Sequence, residues 1–362
     1  MHTCDNIATS VKMIRCDQSN RVFFFYLFFQ LSNIILFPIH QLTGNVFWEA
    51  VSGGCVANTY MITDRPSDTA LFIMEENSSC WMRCCCDPAQ PALVKFYNVV
   101  FGGDRPEKKC CGILCSPARK MYNKQPGVGA VMTMEKPGMC SNFAQCGPTN
   151  CCVLLACCQS EAWMHTGDVG SVRSDKGCGP CKAAHWDFPT GEPGFLDKTT
   201  AFSHAQVPMF GGCFTPTVNI MARTNGVEDT TPWAVVEGPT FFGGCMDLCC
   251  TTKFAVSKTK GKSADIAMIT KKAPEGGCGL CVALCTPADT YLLDFNLETK
   301  LSPQQKAAII GEMVHLDFLF FEADQPICRT NNDDSVLFIL CCTCYCMGAL
   351  CPCECCIPLN KN

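Results

Sequence analysis

The run "TYLLDFNLETKLSPQQKAAIIGEMVHLDFLFFE", residues Thr290 to Glu322, joins two unlike patterns. Its first part alternates, with Tyr291, Leu293, Phe295 and Leu297 on one face and Leu292, Asp294, Asn296 and Glu298 on the other. That is the period of a half-buried strand. In the second part Ser302 precedes Pro303, and Gln305 follows three residues on. This spacing predicts an N-cap, a proline at the first helical position and reciprocal capping. From Ala307 to Phe321 apolar residues cover nearly the whole circumference, so the helix is expected to be enclosed on all sides. Glu312, His315 and Asp317 interrupt it, and a charge at the centre of a membrane span costs roughly 2.5–3.5 kcal/mol on insertion scales. A home inside protein therefore suits this helix better than a bilayer. Glu312 and His315, three residues apart on one face, can pair, which reads as a satisfied core histidine rather than a catalytic one.

Working outward, "TVNIMAR" alternates Val218, Ile220 and Ala222 against Thr217, Asn219, Met221 and Arg223. Gly-Gly and proline-containing breaks recur between such runs, so the chain reads as antiparallel β with one late helix. It also repeats internally. "CDPAQPALVKFYN" from Cys86 resembles "CFTPTVNIMARTN" from Cys213, "VMTMEKPGMC" from Val131 resembles "AVVEGPTFFGGC" from Ala234, and "GDVGSVRSDKGCGPC" from Gly167 resembles "ADIAMITKKAPEGGCGLC" from Ala264. Two copies in the same order predict one duplicated barrel or sandwich. Residues 182–207, rich in Pro, Gly and aromatics, are then expected to be an insertion.

The chain has 362 residues, a net charge of -5 and 34 cysteines. Its length supplies ample material for a core, and the acidic balance argues against nucleic acid as the main partner. Disulfide scaffolds are normally short secreted domains. This chain is long, lacks a convincing cleavable signal, and carries many adjacent cysteines, whose side chains diverge along a strand. Reduced or acylated thiols in the cytoplasm are expected.

Three segments have membrane character. In residues 22–39 Gln30, Ser32, Asn33 and Pro38 dilute the centre of an apolar stretch, and Lys12, Arg15 and Arg21 precede it. As a span it would send the domain outside, and as an irregular extension it would lead into a first buried strand. The second segment is the enclosed helix. The third, Val336 to Cys353, is uncharged and as a helix would reach about 27 Å. Its thiols Cys341, Cys342, Cys344, Cys346, Cys351 and Cys353, with Cys355 and Cys356 after them, point to palmitoylation. One acyl chain holds only marginally, and two anchor stably. Metal binding by a Cys-rich tail is the alternative.

The order of these pieces resembles the phospholipid scramblase family. The likeness lies at "SSCWMRCCCDPAQPALVKFYN", "CCQSEAWMHTGDVGSV", "VVEGPTFFGGCMDLCC" and, most specifically, "TPADTYLLDFNLETKLSPQQKAAIIGEMVHLDFLFFEAD". In the first of these the family also has a cysteine cluster, here Cys84, Cys85 and Cys86, which joins the acylation candidates. The family's Pro-rich N-terminus is absent. The resemblance implies a tubby-like, mainly β fold: a closed antiparallel barrel of about twelve strands threaded by the hydrophobic helix. The expected layout is an apolar N-terminal extension over 1–43, the barrel over 44–324 and an acylated Cys-rich tail over 325–362.

The resemblance further implies calcium-triggered, ATP-independent movement of phospholipids between leaflets, with no bond-making chemistry. An acylated membrane adaptor of the same fold without transport is the alternative. The expected partner is a phospholipid membrane, met from the cytoplasmic face, with the plasma membrane as the place. The family's calcium segment falls on "TPADTYLLDFNLE", where Asp289 matches an acid, and an EF-hand counted from Asp294 puts Asp294, Asn296 and Glu298 at positions 1, 3 and 5. Pro287 stands where the family has an acid, and as an EF-hand the segment fails, with Thr299 at position 6 and Gln305 at position 12. The solvated side of a strand explains the same residues. "CGPC" at Cys178–Cys181 and "CGLC" at Cys278–Cys281 are readable as redox pairs or as a shared zinc site. Lys253, Lys258, Lys260 and Lys262 form a basic patch suited to anionic lipid headgroups, or a merely solvated face.

Overall fold

A computed structural model describes residues 36–41, 57–64, 69–78, 92–105, 108–110, 113–116, 119–137, 160–172, 186–187, 193–194, 198–274, 289–321, 328–330 and 336–359. Among these residues, twenty-three strands follow one another with two α-helices in the later part. They are β1 (Leu36–Gln41), β2 (Thr59–Asp64), β3 (Thr69–Asn77), β4 (Ala92–Arg105), β5 (Lys108–Cys110), β6 (Ile113–Ser116), β7 (Arg119–Lys124) and β8 (Met132–Lys136). Then come β9 (Glu161–Thr166), β10 (Ser171–Val172), β11 (Trp186–Asp187), β12 (Pro193–Gly194), β13 (Ala201–Gln206), β14 (Thr217–Thr224), β15 (Val227–Glu228) and β16 (Ala234–Glu237). The last are β17 (Phe241–Phe242), α1 (Cys245–Cys249), β18 (Thr252–Ser257), β19 (Ala267–Lys271), β20 (Thr290–Phe295), α2 (Pro303–Phe320), β21 (Cys328–Thr330), β22 (Val336–Cys346) and β23 (Ala349–Pro358).

Fourteen of the strands form one antiparallel sheet in the order β13-β9-β8-β4-β3-β2-β1-β20-β19-β18-β16-β14-β15, with β7 beside β4 and one extra ladder, β13–β14. The fold is mainly β with a large antiparallel sheet and few helices. The order is an open path with that extra ladder, so it does not by itself give the closed barrel expected from the resemblance.

Alternation puts one face of this sheet around α2. Tyr60 and Ile62, Phe72 and Met74, Val94 and Phe96, Met132 and Met134, Val218 and Ile220, Phe254 and Val256, and Tyr291 and Leu293 all join a single buried cluster with Ala307, Ile310, Val314 and Phe318 of the helix. The helix begins as its sequence dictates. Ser302 Oγ accepts the Gln305 backbone N–H at 3.2 Å, and Gln305 Oε1 accepts the Ser302 N–H at 2.8 Å. Its buried residues include Ala307, Ile310, Glu312, His315 and Asp317, so no side of it is a solvent face. Gly311 brings it close to β9: a Cβ there would lie 2.4 Å from Met164 Sδ.

Several expectations need correction. The stretch set aside as an N-terminal extension supplies β1, which pairs with β2 and β20 inside the main sheet. The expected insertion ends in β13, which pairs with β9 and β14. Its six residues bury Ala201, Ser203, His204 and Ala205, a strand pattern hidden behind Pro- and Gly-rich sequence. Leu297 lies beyond the end of β20 and is exposed rather than on the buried face. The first two repeat pairs fall on neighbouring strands in each copy, β4–β8 and β14–β16. The third does not, because β19 lies in the main sheet whereas β10 belongs to a small sheet with β11 and β12. Finally, the described residues of the expected tail form paired strands. Strands β22 and β23 pair along ten positions, from Val336↔Pro358 to Cys346↔Ala349, and β22 also pairs with β17 and β21. Alternating small, branched and aromatic residues suit that pleated ribbon better than a helix. Among the described residues, no helix is long and apolar enough to cross a membrane.

Candidate functional site

Two neighbouring regions carry the polar and thiol chemistry: a charged cluster at the C-terminal end of α2, and the cysteine hairpin anchored beside it.

The cluster is built on Asp317, wholly enclosed by protein. Tyr60 of β2 donates its hydroxyl to Asp317 Oδ2 at 2.6 Å, and Tyr291 of β20 donates to Oδ1. Burial pushes the Asp317 carboxyl up, and the two hydroxyls and Lys271 oppose it. Beside it Lys271 of β19 lies 2.8 Å from Asp247 of α1 and 2.7 Å from Asp289, with its ammonium 3.9 Å from the centre of the Phe321 ring. Burial alone would lower its pKa, but Asp289 and Asp247 raise it above the usual lysine value. Asp289 is pushed up to about 6, chiefly by burial, with Lys271 pulling it down and Asp317 adding to the rise. A second polar chain holds the middle of the helix. Glu312 Oε2 lies 3.1 Å from His315 Nδ1, and His315 Nε2 lies 3.1 Å from Ser160 Oγ. The expected Glu312–His315 pair is thus present, with a serine that sequence spacing did not reveal.

The four calcium candidates are not brought together as a set. Asp289 is held by Lys271 at one end of β20, while Asp294 lies five residues along, about 17 Å at strand rise. Asp294 and Glu298 are exposed. Asn296 is engaged locally, its Oδ1 accepting the Glu298 N–H at 3.0 Å and its Nδ2 donating to the Asp265 carbonyl at 3.2 Å. Among the described residues no three His, Cys, Asp or Glu side chains converge as a metal site. These residues therefore do not fit calcium as one preformed cage, which needs six to eight oxygens.

The thiols are ordered by the hairpin. Its register sets Cys342 opposite Cys353 and Cys344 opposite Cys351, and Cys341 Sγ lies 3.0 Å from Cys355 Sγ on the other side of a register shift. Cys351, Cys355 and Cys356 are exposed, whereas Cys341, Cys342, Cys344, Cys346 and Cys353 are half-buried. Burial and the neighbouring Cys353 push the Cys342 thiol up, and the hydrogen bond with Cys341 does the same for Cys355. Raised thiol values favour the protonated form over the thiolate. The hairpin is pinned by Tyr345, whose buried hydroxyl donates to the Gly211 carbonyl at 2.9 Å and whose ring meets Phe320 edge-on at 5.8 Å.

Lys258, Lys260 and Lys262 are exposed in the turn between β18 and β19, while Lys253, also exposed, lies at the opposite end of β18. Cys84, Cys85 and Cys86, the CGPC and CGLC motifs, and most of residues 22–39 lie outside the described residues. What sequence reasoning missed was the pairing of Asp317 with two tyrosines and of Lys271 with two aspartates. Its only signal was an acid inside an apolar helix, which says that a partner exists but not where.

No curated protein and no solved structure matches the chain. The Scramblase family model matches residues 213–323, from the start of the second repeat through β20 and α2. Over that stretch the chain is similar to the Scramblase family.

Proposed function

We propose that this protein is a phospholipid scramblase: a membrane-tethered lipid translocator that moves phospholipids between leaflets without ATP and without bond-making chemistry. The observation that carries the reading is the Scramblase match over 213–323, a region that includes the whole enclosed helix and, of its polar cluster, Asp247, Lys271, Asp289, Tyr291 and Asp317. The task is to lower the cost of drawing a polar headgroup through hydrocarbon, where unsatisfied polar groups are expensive.

The β13–β14 ladder supports a closed barrel. It runs over four residue pairs, from Ser203↔Ala222 to Gln206↔Asn219. Leaving out β7 and β15, it would join the remaining twelve strands of the sheet into a ring around α2. Closure would remove the edges that such a sheet otherwise exposes.

The hairpin supports palmitoylation, with Cys351, Cys355 and Cys356 the thiols most open to an acyltransferase. The exposed Lys253, Lys258, Lys260 and Lys262 suit anionic headgroups on the cytoplasmic face of the plasma membrane. Calcium triggering belongs to the proposal, but Asp289 through Glu298 are not its site as a set, and no step is routed through the ion.

The adaptor reading, lipid binding without transport, is favoured by one observation: α2 is consumed by the core. Purified full-length protein in liposomes carrying fluorescent phospholipid decides between the two. Dithionite quenching that reaches inner-leaflet lipid upon calcium addition supports transport. Quenching confined to the outer leaflet at every calcium level supports the adaptor.

A further inference from the structure

Three stretches of the chain without a single charged residue, 205–222, 238–246 and 336–353, meet at one place. The Met347 N–H donates to the Cys213 carbonyl at 2.7 Å, the Tyr345 N–H to the Thr240 carbonyl at 2.8 Å, and the Gly238 N–H to the Pro216 carbonyl at 2.9 Å. Strand β17 pairs Phe241 with Cys344. From this meeting point project Met209, Phe210, Phe214, Phe241 and Met347, each between 45% and 58% exposed. We propose that these joined loops are the surface by which the protein enters the interfacial layer of a phospholipid bilayer, an inference that rests on the membrane reading above.

The backbone argues for lipid as the occupant. Loops enter an apolar layer at lower cost when their peptide groups are already paired, and here several are paired internally. Besides the links above, the Gly211 N–H donates to the Pro208 carbonyl and the Cys213 N–H to the Phe210 carbonyl, both at 2.8 Å. The two acids that flank the middle stretch are engaged elsewhere: Glu237 accepts the Gly261 N–H at 2.5 Å, and Asp247 lies 2.8 Å from Lys271. A protein partner would normally meet a rim of polar side chains offering hydrogen bonds, and these charge-free tips lack charged groups for one. A fluid hydrocarbon boundary asks only for apolar side chains that protrude.

The loops are also held in a costly shape. Of the four non-glycine residues with positive φ among those described, Phe210 (59°), Cys213 (71°) and Met347 (51°) lie here. Such conformations persist only where surrounding contacts over-determine them, and they concentrate at functional surfaces. Gly211 shows how tightly: a Cβ there would overlap the Tyr345 hydroxyl and come within 2.7 Å of Gly348. The same contact that pins the cysteine hairpin therefore sets the apolar tips, so that acyl chains on Cys351 would leave the protein on a strand that starts beside them.

The test uses full-length Phe214→Trp protein and phosphatidylcholine vesicles brominated near the headgroup end of the acyl chains. Emission added by the new tryptophan should be quenched on binding. If the protein sediments with the vesicles and that emission is unquenched, or if it does not sediment with them at all, the proposal fails. In a second arm, hydroxylamine-treated Met209→Asp/Phe214→Asp/Phe241→Asp protein should partition about tenfold more weakly, since membrane affinity scales with buried apolar area, while its melting is unchanged. Unaltered partitioning overturns the proposal. So does loss of self-association with vesicle binding intact, which would assign the tips to a second copy of the chain. Quenching without lipid transport would sink the scramblase reading and leave this surface standing; transport without quenching would do the reverse.

Discussion

The hydroxyl of Tyr60 on β2 lies 2.6 Å from Asp317 Oδ2 on α2, across 257 residues of sequence. With Tyr291 on the second carboxylate oxygen, this bond ties the enclosed helix to strands on both sides of β1. A buried carboxylate without partners is expensive, and removing one partner strands the other. Tyr60→Phe is expected to lower unfolding stability by about 1–3 kcal/mol, read by chemical denaturation. Asp317→Asn, which keeps the shape and removes the charge, should cost less than Asp317→Ala. Equal losses for both would contradict the assignment.

Asp289 makes stability depend on pH in a defined sense. Its folded-state pKa is raised from 3.8 to about 6, so the native state holds a proton that the unfolded chain has already released. The stability it contributes is complete below about pH 4 and is lost as pH rises through about 6. Asp289→Asn should flatten the stability profile across that window. It should also lower stability at neutral pH, because Lys271 is left with Asp247 alone. An unchanged slope between pH 4 and pH 6 would remove Asp289 from this role.

Gly311 sets the approach of α2 to β9. A Cβ there meets the flexible end of Met164, so Gly311→Ala is expected to cost little once Met164 shifts, and Gly311→Val about 1–3 kcal/mol. Combining Gly311→Val with Met164→Ala should recover part of the loss, as a double-mutant cycle would show. Strictly additive losses would mean that the two do not touch.

Much of the fold was legible. The capping residues Ser302, Pro303 and Gln305 and the all-round apolar run after them fixed α2, because both signals are local. Alternation found β14 and β20 for the same reason. What remained hidden was non-local. The strand β13 sits behind a Pro- and Gly-rich stretch, and only its partners β9 and β14 make it a sheet member. The tail read as a greasy or acylated segment, yet its cysteines alternate on a hairpin whose register depends on β17 and Tyr345. The candidate site suffered the same limit. Asp289 is a calcium candidate only through the resemblance to the family's calcium segment, whereas its partner Lys271 lies on the adjoining strand.

Acylation has its own check. Replacing Cys351, Cys355 and Cys356 with serine should remove most hydroxylamine-sensitive acyl label and release protein from membranes, since stable anchoring takes at least two chains. The three side chains are exposed, so melting should be unaffected. Label retained in full on this variant would move the anchor elsewhere in the chain.

The most direct measurement of the central claim is dithionite quenching of fluorescent phospholipid in liposomes bearing the full-length protein. The account predicts that calcium addition exposes inner-leaflet lipid to quenching, and that liposomes lacking the protein show no such change. Quenching that stops at the outer leaflet, with the protein folded and membrane-bound at every calcium level, would contradict it.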